Sequence, residues 1–145
     1  MTTVLTRMVA RLLMVPTFVV AGAVLVKGYS DVGDGFSAGV VAALGVLLQY
    51  LGLGYRDAER LLPMRLAPAW AFAGLGLALA VTFVPAAAGR PLLTHAPGPG
   101  APVTKLGTLE LITPVLFDVG VAFLVFGAVV GIIRTLAGAD DGRAA

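Results

Sequence analysis

"LITPVLFDVGVAFLVFGAVVGII", residues 111 to 133, holds twenty-three residues and one charge, the carboxylate of Asp118. A helix rises about 1.5 Å per residue, so about 20 mostly apolar residues cross the hydrocarbon core of a bilayer. Three further stretches meet the same criterion. Fifteen uncharged residues lie between Arg11 and Lys27, twenty-one between Asp34 and Arg56, and twenty-four between Arg65 and Arg90. The first is short, but Val4, Leu5, Met8, Val9 and Ala10 extend it once Arg11 snorkels to the interface or faces protein. None alternates apolar with polar residues at period two, which argues against a β-barrel and leaves helices as the spanning structure. The expected fold is an all-α integral membrane protein, one membrane domain over residues 1–145 with four transmembrane helices. Their approximate bounds are 5–27, 34–55, 66–88 and 110–134, with an external Pro/Gly-rich loop at 89–105.

Composition points the same way. Apolar side chains make up 59% of the 145 residues and charged ones 12%, where soluble domains carry about 25% charged. Cysteine is absent, so disulfides, thiolate metal sites and cysteine nucleophiles are excluded. The net charge of +2 is small and its Lys and Arg residues stand at segment ends, unlike a nucleic-acid-binding surface. No Ser/His/Asp arrangement, zinc spacing or phosphate loop is present, so an enzyme, a cofactor and a metal are not expected. His95 lies in the Pro/Gly-rich loop with no neighbouring ligand type and reads as a solvated residue.

The N-terminus, the second connection and the C-terminus together carry seven Lys and Arg residues, against three in the first and third connections. Basic residues favour the cytoplasm, which places both termini there in a multi-pass protein of the cytoplasmic membrane. Arg7 and Arg11 ahead of Ala21-Gly22-Ala23 imitate a cleaved secretory signal, but the apolar run continues to Val26 and contains Pro16, so we read it as a span. The run Arg56, Asp57, Glu59, Arg60 reads as a solvated cytoplasmic turn. Tyr55 and Trp70 stand where an interfacial aromatic belt is expected.

Seven residues, roughly 10 Å of helix, separate Asp118 from Glu110. A lone Asp near a helix centre costs about 2.5–3.5 kcal/mol on insertion scales. Protonation, a protein partner or a hydrated path must offset that cost. At 100° per residue Pro114, Ala122, Val125 and Val129 share the face of Asp118, whereas Gly120, Gly127 and Gly131 lie opposite. A polar face and a small-residue face both call for protein cover, more than four helices readily supply, which suggests one component of a larger assembly. Pro114 is expected to remove a helix hydrogen bond to Glu110 and kink the segment. For Asp118 an intersubunit hydrogen bond and a proton or cation relay stand as alternatives.

Ahead of the second span, "GYSDVGDGFSAG" (28–39) combines turn-forming Gly28 and Gly33 with Asp31 and Asp34, which can cap the next helix. Gly35, Gly39 and Ala43 then repeat every four residues as a narrow face for close helix approach. The structural reading is a capped turn; the functional one is a docking or ion-gathering element at the external mouth.

These two segments together resemble the MnhB (MrpB) family, the B subunits of Mrp-type multisubunit Na+/H+ antiporters. The family pattern Thr-Pro-x-Leu-Phe-Asp-Ile-Gly-Val is matched by "TPVLFDVGV", with Thr113, Pro114, Phe117, Asp118 and Gly120 in place. Its glycine-rich pattern is kept at Gly28, Gly33, Gly35, Phe36 and Gly39, with Tyr29, Ser30, Val32 and Asp34 departing from the usual His, Asn, Pro and Gly. The resemblance implies a non-enzymatic antiporter subunit that assembles with other antiporter-complex membrane subunits, monovalent cations (Na+) and protons being the transported species. It implies Asp118 as the candidate for an ion or proton path and the 28–39 turn as a docking or gating element. The family is also similar to membrane-arm subunits of redox-driven, hydrogenase-like ion pumps, which stands as the alternative. A third reading, an autonomous small transporter, is disfavoured by the single buried carboxylate and the absence of inverted broken-helix repeats.

Overall fold

The computed structural model describes residues 3–27, 34–61, 64–92, 105–106, 109–110 and 113–143. Its helices are α1 (Val4–Lys27), α2 (Asp34–Leu53), α3 (Tyr55–Leu61), α4 (Ala67–Ala87) and α5 (Thr113–Arg143), with a 3-10 turn at Met64–Leu66 before α4. Four of these segments are long and apolar enough to cross a membrane: α1, α2, α4 with its preceding turn, and α5 to Asp140. The chain is a four-span helical membrane protein. Strands β1 (Lys105–Leu106) and β2 (Leu109–Glu110) pair antiparallel in the connection before α5.

Contacts fix how the spans run. Gly52 of α2 meets Ala10 of α1 and Gly45 meets Thr17, so α1 and α2 are antiparallel. Gly35 meets Asp118 and Gly39 meets Ala122 and Val125, so α2 and α5 run parallel. Gly74 meets Gly120, and Gly127 meets Ala67 and Ala71, so α4 returns antiparallel to α5. The lateral order is α1, α2, α5, α4. Lipid is as apolar as leucine and gives such helices no hydrophobic reason to associate, so close packing through small residues holds them instead. Accordingly Leu12, Met8 and Phe72 are 70% exposed or more, facing lipid at little cost, while Ala43, Val46 and Val130 are wholly buried in the α2–α5 seam.

Several boundaries differ from the expected ones for local reasons. The second span stops at Leu53 because Gly54 adopts φ 84, a left-handed angle that ends helices; its N–H still reaches the Tyr50 carbonyl at 3.0 Å. The run expected as a solvated turn is the helix α3, with Ala58 buried. Leu109 and Glu110 belong to β2 and not to the last span, whose helix begins at Thr113 and continues past residue 134 to Arg143. Pro114 therefore sits in the first turn, where its missing N–H breaks no bond, and the expected kink has no basis. His95 and most of the 89–105 loop lie outside the described residues.

Candidate functional site

Asp118 is five residues into α5, about 8 Å from its first residue. It therefore lies nearer the membrane boundary than the sequence spacing implied, which lowers the cost of burying it. Its residue is 7% exposed. Cover comes from the first turn of α2: a Cβ built on Gly35 would collide with the Asp118 carbonyl oxygen and stand 2.8 Å from the carbonyl carbon. Only glycine permits that approach. One turn on, a Cβ on Gly39 would stand 2.7 Å from the Ala122 carbonyl oxygen. The first turn of α2 carries Asp34 and the partial positive charge of a helix N-terminus. The start of α2 is thereby set directly against the main chain of Asp118.

Both glycine-bearing segments singled out in the sequence thus meet in space, through Gly35 and Asp118. Asp34 is half-buried at the helix start, and Phe36 is 59% exposed. Thr113, Pro114 and Phe117 are half-buried in the first turns of α5. Gly120 turns the other way, with its would-be Cβ 2.9 Å from the Gly74 carbonyl oxygen of α4. Gly28, Asp31 and Gly33 lie outside the described residues. The protein cover that both special faces of α5 call for comes, at these positions, from within the chain: α2 lies on the Asp118 face and α4 on Gly120 and Gly127. On that small-residue face, Gly131 has open space above it, in an apolar groove with Phe72 and Leu136.

At the opposite end of the same seam is a second polar cluster that the sequence reading missed. Glu59 Oε1 accepts from Tyr50 Oη at 2.5 Å and from Arg134 Nε at 2.8 Å. The side chains of Glu59 and Arg134 are 13% and 31% exposed. One carboxylate oxygen thereby ties the end of α2, the short α3 and the last third of α5. Arg60 and Asp57, by contrast, form an exposed 3.9 Å pair of the solvated kind expected. The sequence signal was present in an acidic residue spaced beside buried Ala58, yet its partner stands 75 residues away.

Gln49 was also missed, because an uncharged residue does not interrupt an apolar run. It is fully buried between Gly45 and Gly52, and its Nε2 donates to the Ala10 carbonyl at 2.7 Å. Its Oε1 has no partner among the described residues. Trp70, expected in the aromatic belt, is 44% exposed and packs on Phe123 and Phe126 at ring distances of 5.3 and 6.4 Å. No cluster able to hold a metal ion exists among the described residues.

Comparison with known families places the chain as a whole. The family model described as "Domain related to MnhB subunit of Na+/H+ antiporter" matches residues 5–131. This chain belongs to the MnhB family. Among curated relatives, the B subunit of the Na(+)/H(+) antiporter of Alkalihalophilus pseudofirmus is 34% identical over 113 residues, covering 78% of this chain and 77% of the relative. The B subunit of the Na(+)/H(+) antiporter of Bacillus subtilis is 34% identical over 115 residues, 76% of each chain. A probable K(+)/H(+) antiporter A/B subunit of Rhizobium meliloti is 37% identical over 125 residues. The MnhB chain matches 83% of its own length there but only 12% of that longer relative.

Proposed function

We propose that this MnhB chain is a small membrane subunit of a multisubunit monovalent cation/proton antiporter, contributing to assembly and, through Asp118, to the ion path. The observation that carries the reading is the match to two proteins named as antiporter B subunits over about three quarters of both lengths. The relatives' names divide between Na+ and K+, so the cation is read as monovalent, with Na+ first. Physical chemistry supports a role within a complex over an autonomous carrier: Asp118 and Gln49 are the buried polar residues among those described, and one carboxylate makes no pathway. Partner subunits would supply the other translocating charges. The same names favour an antiporter over a redox-driven pump.

A carboxylate near the start of α5, beside the N-terminus of α2, can bind and release a proton near one membrane boundary. The test is cation-driven proton flux in inverted vesicles holding the whole complex, wild type against Asp118→Asn, at assembly levels matched on native gels. Collapse of flux with assembly intact puts Asp118 in the path. Unchanged flux removes it from the path, and loss of assembly makes the residue structural.

A further inference from the structure

A cavity of about 440 Å³ opens between α2, α3 and α5 at the end of the seam where Glu59 sits. Its walls are of two kinds. Leu47, Leu51, Ile133 and Leu136 make an apolar side, and Tyr50, Tyr55 and Asp140 make a polar one. The two tyrosine rings lie 6.1 Å apart and inclined at 32°. Tyr55 is held against α5 at Gly138, where an added Cβ would stand 3.3 Å from the ring.

Charge complementarity selects the occupant. Asp140 is the acidic residue among the described side chains that line the cavity. The nearby Arg134 is paired with Glu59, which in turn holds the Tyr50 hydroxyl. An ammonium group is attracted both by a carboxylate and by the faces of tyrosine rings. A bare Na+ or K+ fits poorly, because the apolar side offers too few oxygens to replace its hydration shell. The location, at the end of the membrane-crossing helices α2 and α5, is the depth of lipid headgroups, where an acyl chain can follow the leucine side into the bilayer.

We propose that this cavity binds an aminophospholipid, with the primary ammonium donating to Asp140 and resting against Tyr50 and Tyr55. The acyl chain follows Leu47 and Leu51, and the phosphate stays at the open rim. The site is independent of Asp118 and of the ion-path reading.

The test is native mass spectrometry of the full chain released from micelles doped with equal amounts of phosphatidylethanolamine, phosphatidylcholine and phosphatidylglycerol. The expected result is retention of phosphatidylethanolamine about fivefold above phosphatidylcholine, the scale of one partly exposed charged contact. Asp140→Asn, isosteric and at an exposed residue, removes that preference while leaving the fold and total lipid retention unchanged. Equal retention of all three lipids, or a preference that survives Asp140→Asn, overturns the proposal. A preference for phosphatidylglycerol overturns it too, assigning the cavity to an anionic headgroup.

Discussion

Gly35 of α2 abuts the main chain of Asp118 of α5, with no room between them for a side chain. A Cβ at Gly35 would stand 2.8 Å from the Asp118 carbonyl carbon and 2.9 Å from its Cα. Backbone atoms cannot rotate away as a flexible side chain does, so Gly35→Ala must separate the helices. The expected cost is about 1–3 kcal/mol, the usual scale for overpacking. Gly76→Ala in α4, with nothing within 4 Å of its Cβ, is the matched control and should be neutral or slightly stabilising. Unfolding in mixed micelles measures both; equal effects at the two sites would refute the close contact.

The Tyr50–Glu59–Arg134 cluster should behave as a coupled unit. Removing one partner leaves a half-buried polar or charged group without its hydrogen bond, so Glu59→Leu and Arg134→Leu should each destabilise by about 1–3 kcal/mol. The double variant should cost clearly less than the two singles summed, because neither charge is then stranded. Strict additivity would mean the 2.8 Å pair carries no coupling energy.

Gln49 makes an opposite prediction. Its Nε2 bond to Ala10 stabilises, but its partnerless Oε1 opposes that gain, and hydrogen bonds between membrane helices average only about 0.6 kcal/mol. Gln49→Leu should therefore leave stability within about 1 kcal/mol of wild type. Gln49→Glu places a carboxylate at a site with 0% exposure and should cost about 3 kcal/mol or more. Thermal melting in detergent distinguishes the two substitutions, and a large loss with leucine would contradict the balance.

Orientation can be read by chemical labelling, since the sequence has no cysteine to mask the signal. Arg60, with its side chain 83% exposed, and Leu92, 57% exposed, lie at opposite ends of the bundle. The excess of basic residues at the Arg60 end favours the cytoplasm. In intact cells a membrane-impermeant maleimide should label Leu92→Cys and spare Arg60→Cys. The reverse pattern would invert the topology.

Much of the fold was legible because hydropathy is a local property: each run of apolar residues long enough to span announced itself without reference to the others. Boundaries were legible only where a local device set them. Gly54 ended α2 two residues before the apolar run did, and Pro114 opened α5 after β2 had claimed Glu110. The two motifs were visible as patterns, yet Gly120 looks toward α4 and Gly35 toward α5, an assignment that depends on which helix stands on which side.

The sequence by itself determined that this is a helical, four-span membrane protein with a carboxylate in its last span and small residues for close packing. Composition and run length suffice for that, since a bilayer admits few structures. Only the tertiary structure decided that Gly35 covers Asp118, that Gln49 is sealed against Ala10, and that Glu59 joins Tyr50 to Arg134. Those pairings depend on the rotation and order of the helices. In lipid, where every apolar face is equally at home, these are set by which backbones can approach and not by which residues are apolar.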